Sequence, residues 1–137
     1  MSIIDILTLI YLVIFSVYHI IQGIMSVFYS EKAIKFNEKL YGYKPKETKQ
    51  LIMNLKPWGS LALAIGVIGL IVALDINKYF IFLLAFAFLL GLRIGYRIIF
   101  RKNIYDYWQV SLWQNWRTIL IQIIGIILFS LFVINRL

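Results

Sequence analysis

The 137-residue chain has no cysteine, one histidine, two prolines and only six acidic residues. Without cysteine it has no disulfide, no thiolate metal site and no thiol nucleophile, so redox chemistry through sulfur is excluded. His19 alone cannot supply a bis-imidazole haem site or a multi-histidine zinc centre within one copy, and neither a metal nor a cofactor is expected. The sequence also lacks a serine, histidine and aspartate spaced for nucleophilic catalysis, paired carboxylates within an apolar run, and a glycine-rich loop leading to a lysine that would cradle phosphates. No catalytic residue is assigned.

Apolar surface is what the chain has in excess. Hydrophobic residues make up 62%, aromatic residues 17% and charged residues only 15%, and the mean hydropathy is +0.86. A soluble helical domain would need a polar face on every helix, and the run from Trp58 to Leu74 has none. The composition predicts an all-α integral membrane protein. A hydrocarbon layer ~30 Å thick takes ~20 apolar residues at ~1.5 Å each. Four spans then fit in one membrane domain, over residues 4–29, 58–75, 79–100 and 117–135, as an antiparallel four-helix bundle. The third is charge-free only over 79–92 and reaches spanning length if Arg93 and Arg97 lie in the last turns of a helix continuing to Phe100. Asp75, Ile76, Asn77 and Lys78 form a tight turn before it. Residues 101–116 form an interfacial segment, in which Tyr105, Tyr107, Trp108, Trp113 and Trp116 favour the headgroup layer.

Fourteen basic residues give a net charge of +8, and their positions argue against nucleic acid as the partner. Apart from Lys78 and Arg136, all of them follow the first span or border the connection between the third and fourth. Positive flanks stay in the cytoplasm, so both termini are expected on the extracytoplasmic side of the cell membrane. The first segment has no basic leader and no small-residue cleavage site, and it reads as a retained anchor.

The basic loop over residues 30–57 is the only sizeable polar region and is expected to be amphipathic and helical on the cytoplasmic side. Ser30 can cap a helix, Glu31 and Lys35 are an i,i+4 pair, and Ala33, Phe36 and Leu40 share a face, which makes an interfacial helix or a continuation of the first span. Gly42 can take positive φ, and Pro45 suits the first turn of a new helix carrying Leu51, Ile52 and Leu55, which Pro57 then kinks or restarts.

Two polar stripes stand out at ~100° per residue. The first span carries Asp5, Thr8, Ser16, His19, Gln22, Gly23 and Ser26 on about a third of its circumference, and the fourth carries Ser111, Gln114, Thr118, Gln122 and Gly125. Polar groups at this depth must face partners. The sequence therefore pairs Gln122 with His19 or Gln22 and sets the first and fourth spans side by side. Small residues mark the other seams. Ala62, Gly66, Gly69 and Ala73 run along the second span and Ala87, Gly91 and Gly95 along the third, so that the turn at 75–78 joins two closely packed neighbours. Arg93 and Arg97, one turn apart, can clamp a phosphate or carboxylate, with phospholipid headgroups the nearest anions. Arg97 sits where it can snorkel, while Arg93 is deep enough to require Asp106, Glu31 or a bound anion.

The run Asn37-Glu38-Lys39-Leu40-Tyr41-Gly42-Tyr43, followed by Trp58-Gly59, resembles the Asn, Gly-Tyr/Phe-Arg and Trp pattern of small membrane immunity proteins against bacterial toxins, with Lys44 where that pattern has arginine. The resemblance covers residues 37–59 and implies, as one alternative function, a toxin-immunity membrane protein. The expected function is that of a non-enzymatic module holding a lipid, a lipophilic ligand or a partner membrane protein. Its binding residues would be His19, Gln22, Arg93, Arg97 and Gln122, with its basic face on anionic headgroups. The alternatives are a lipid-modifying or isomerising enzyme using His19 as acid or base, and an oligomeric transporter or channel subunit with the first stripe on a shared axis.

Overall fold

The computed structural model describes residues 2–42, 44 and 49–137, apart from the side chains of Gln50 and Tyr107. Among these residues there are six helices and no strand: α1 (Ile3–Phe28), α2 (Ser30–Tyr41), α3 (Lys49–Leu74), α4 (Phe82–Ile99), α5 (Arg101–Trp108) and α6 (Leu112–Ile134). Four stretches are long and apolar enough to cross a membrane, namely α1, Leu51–Leu74 of α3, α4 and α6.

α1 starts at a capping box. The Ser2 hydroxyl accepts the Asp5 amide and the Asp5 carboxylate accepts the Ser2 amide at 2.8 Å. It ends at Tyr29, whose φ of −136° and ψ of 52° turn the chain sharply. α2 is thus neither a continuation of α1 nor a helix capped by Ser30. Ser30 lies inside its first turn and donates back to Ser26 O at 2.7 Å. At the far end of α2 the Tyr41 ring meets the Tyr18 ring of α1 edge-on, 6.1 Å between centroids. α2 therefore doubles back along α1. The reason is burial, because Ala33 and Ile34 lose almost all contact with solvent in this position. Gly42 ends α2 with φ 71°, and a β-carbon there would run into the Gln114 side chain. The helix start expected at Pro45 lies outside the described residues.

α3 runs unbroken from Lys49 through Pro57. The separate helix expected before Pro57 is its first two turns, and the proline costs one backbone bond, to Met53 O, without ending the helix. At the other end, Asp75 O accepts from Lys78 and Tyr79, and the Asp75 carboxylate also accepts from Lys78 N at 3.2 Å. Residues 79–84 then make i→i+3 bonds, Phe82 N to Tyr79 O and the two that follow. This tighter winding places the start of α4 three residues later than the expected position 79. α5 ends on Gln109 at φ 52°. Ser111, expected on the polar stripe, instead caps α6 with Gln114 in a second capping box.

The closest seam is between α1 and α3. A β-carbon on Gly66 would stand 2.7 Å from Ser16 O, one on Gly23 2.7 Å from Gly59 O, and one on Gly69 against the Ser16 hydroxyl. The small-residue row of α3 thus faces α1 rather than α4. Beside Gly91 and Gly95 nothing lies within 4 Å, so the row expected on the third span forms no close seam. Ala73 and Ala87 pack at the edge of the apolar core, and Ala62 is half-buried. α4 packs on α6, and α6 on α1.

Burial divides the molecule in two. In the half nearer the termini, Leu12, Phe15, Val72, Ile76, Leu83, Phe86, Leu90, Phe129, Phe132 and Val133 form one apolar core. Most of the buried polar side chains lie in the half nearer α2 and α5: His19, Ser26, Ser30, Asn115, Thr118 and Gln122.

Candidate functional site: the polar half of the helix core

His19 is the centre of this region, only 2% exposed. Its Nδ1 is 2.7 Å from Phe15 O, one turn back on α1, and its Nε2 is 2.9 Å from the Arg93 guanidinium of α4. A carbonyl oxygen can only accept and a guanidinium can only donate. The ring is therefore the neutral tautomer that carries its proton on Nδ1 and accepts Arg93 at Nε2. Phe15 lies against one face of the ring, with centroids 4.1 Å apart, and Tyr18 meets it edge-on at 5.0 Å.

Arg93 stands on the inward side of α4, beyond Phe86 and Leu90, and is half-buried. Neither Asp106 nor Glu31, the expected carboxylate partners, takes it; both are exposed. Its hydrogen-bond partner is a neutral ring. Among the described residues the one salt bridge is Arg136 to Asp5, at the opposite end of the spans. Arg97, one turn further along α4, turns inward rather than only toward the interface. Its NH1 donates to Asn115 Oδ1 of α6 at 2.9 Å, and Asn115 Nδ2 donates to Arg97 O at 3.4 Å.

The two glutamines differ from the expectation. Gln122 is buried on α6 and α6 lies beside α1, but the amide does not pair with His19 or Gln22, and its Oε1 is enclosed without a partner. Gln22 gives a long 3.4 Å bond to Ser26 and its Oε1 is also enclosed and unpartnered. α1 and α6 are instead tied by donors from α1 to backbone carbonyls, Thr8 to Leu128 O at 3.3 Å and Tyr11 to Ile121 O at 3.0 Å. Tyr11 also fills the space left by Gly125.

Sequence reasoning missed two features. Asn115 lies seven residues before Gln122, so stripe spacing alone includes it. Arg136 forms a clasp at the terminal end, bonding Asp5 at 3.1 Å, Asn77 Oδ1 at 3.0 Å and Phe132 O at 3.3 Å, with its guanidinium 3.4 Å from the centre of the Phe132 ring. A cleft of about 200 Å³ beside it is lined by Asp5, Leu9, Ala73, Asp75, Asn77 and Arg136. Among the described residues no group of histidine and acidic side chains is placed to hold a metal ion.

Compared with protein-family models, curated proteins and solved structures, the chain matches none of them.

Proposed function

We propose that the chain is a non-enzymatic protein of the cell membrane that binds the anionic headgroup of a phospholipid at Arg93, with Arg97 beside it. In this reading the four spans form one antiparallel bundle, the termini are extracytoplasmic, and α2, α5 and the basic loop lie at the cytoplasmic interface. The observation that carries the reading is the half-buried Arg93 guanidinium, well inside α4, whose hydrogen-bond partner is an uncharged imidazole. A cation at the centre of a span costs ~2.5–3.5 kcal/mol on insertion scales, and less toward its end, where Arg93 stands; a neutral acceptor leaves its charge unbalanced. A lipid phosphate reaching in from the interface balances it and can accept two parallel N–H bonds.

The enzymatic alternative has less support. The hydrogen-bond partners of His19 are Phe15 O and the Arg93 guanidinium, so no carboxylate or nucleophile stands beside it for acid–base chemistry. Transport along the α1 stripe has no support from burial either, because Ser16 and His19 face neighbouring helices rather than an open surface. Native mass spectrometry from nanodiscs of phosphatidylglycerol and phosphatidylcholine tests the proposal. Wild type is expected to retain phosphatidylglycerol and Arg93→Gln to lose it. Equal retention by both proteins, or a co-purifying membrane protein indifferent to position 93, would overturn it.

A further inference from the structure

We propose that the anion bound at Arg93 is taken up together with a proton, which His19 accepts at Nε2. This inference rests on the headgroup reading and adds the linkage to pH. The Nε2 lone pair accepts an N–H of Arg93 at 2.9 Å. Protonation there would remove that acceptor and bring two cations into contact, so this hydrogen bond requires the neutral ring. Two contacts of the ring are compatible with an imidazolium. Nδ1–H is held by Phe15 O at 2.7 Å, and the Phe15 ring lies against one face at 4.1 Å, within the ~6 Å range over which an aromatic face attracts a cation. An acceptor opposite Nε2 would complete the set, and a phosphodiester oxygen is one.

The step balances as follows. The Arg93 N–H leaves Nε2 for a phosphodiester oxygen, Nε2 takes one proton from water, and the new Nε2–H donates to a second oxygen of the same anion. One anion and one proton enter, and no covalent bond to phosphorus changes. Other charged and titratable groups near His19 do not supply the anion. α1 contributes Tyr11 and Tyr18, α2 contributes Tyr41, and α4 contributes Arg97. From α6 come neutral Asn115, Thr118 and Gln122, with Arg117 donating to Leu40 O. α3 presents glycines to α1, and the acidic Glu31 and Glu38 of α2 and Asp106 of α5 are exposed.

The test uses the full chain in nanodiscs of phosphatidylcholine titrated with phosphatidylglycerol from pH 5.5 to 8, because that phosphodiester keeps one negative charge throughout. Soluble dimethyl phosphate is titrated in parallel. Affinity is expected to rise as the pH falls, by about tenfold per unit where uptake of one proton is complete. His19→Gln, whose amide oxygen accepts from Arg93 at every pH, is expected to bind at the weak alkaline level throughout. A second variant, His19→Asn, guards against a folding defect peculiar to the first. A response to the lipid alone assigns the anion to a headgroup, and an equal response to dimethyl phosphate assigns it to a soluble phosphodiester; either is consistent with the coupling. Binding that depends on Arg93 but is flat with pH in wild type would overturn the proton coupling and leave the headgroup reading standing. Binding indifferent to Arg93→Gln would remove both.

Discussion

Two Gly-x-x-x-Gly-like rows look alike in the sequence, yet one glycine in each should answer oppositely to a single added methyl group. At Gly66 a β-carbon would lie 2.7 Å from Ser16 O and 2.8 Å from Ile20 N, both backbone atoms of a neighbouring helix that cannot rotate away. Overpacking costs ~1–3 kcal/mol, and unyielding backbone puts this site in the upper part of that range. Alanine also returns up to ~1 kcal/mol of helix propensity relative to glycine. The net expectation for Gly66→Ala is a loss of about 1–2 kcal/mol. At Gly91 nothing lies within 4 Å, so only the propensity gain operates and Gly91→Ala is expected to be neutral or up to ~1 kcal/mol stabilising. Reversible unfolding in mixed micelles titrated with dodecyl sulfate, followed by circular dichroism, measures both. If Gly66→Ala proved as stable as wild type, or Gly91→Ala lost as much as Gly66→Ala, the seam assigned to α1 and α3 would be wrong.

Other expectations follow from the same contacts. Gln122→Met removes an enclosed, unpartnered oxygen at nearly constant volume and is expected to stabilise by ~1–2 kcal/mol in the same titration, since an unmet buried acceptor costs ~1–3 kcal/mol; destabilisation would mean that Oε1 has a partner. Asp5→Asn weakens the bond to Arg136 while leaving an acceptor for the Ser2 amide, so the unfolding midpoint should fall, and by less in high salt than in low salt; an unchanged midpoint would make the clasp incidental. Because the chain has no cysteine, single cysteines at Ser2 and Lys102 report topology cleanly. A membrane-impermeant maleimide added to intact cells should label the first and not the second, and the reverse pattern would invert the orientation.

The four long apolar helices were legible because apolar runs of this length have few other uses, and Asp75 to Lys78 was legible as a turn because charge and amide interrupt two such runs. The neighbours of each helix were not. A row of small residues says that another backbone comes close, not which one, and the row of α3 met Ser16 and Ile20 of α1 although the short turn favoured α4. Helical spacing likewise places His19, Gln122 and Arg93 on faces but not at heights. Heights depend on local features such as the i→i+3 bonds over residues 79–84, which delay the start of α4. Stripe reasoning thus paired Gln122 with His19 or Gln22 and Arg93 with Asp106, Glu31 or a bound anion, where the structure joins His19 to Arg93. The doubling back of α2 turns on one residue, Tyr29, whose type carries no signal for a corner.

The claim that an anionic headgroup is held at Arg93 is tested most directly by magnetic dephasing between ¹⁵N-labelled arginine guanidinium and lipid ³¹P in phosphatidylglycerol bilayers. Wild type should show a short-range nitrogen–phosphorus component at hydrogen-bonding separation that is missing from Arg93→Gln. An identical dephasing curve for the two proteins would mean that no phosphate reaches Arg93 and would contradict the account.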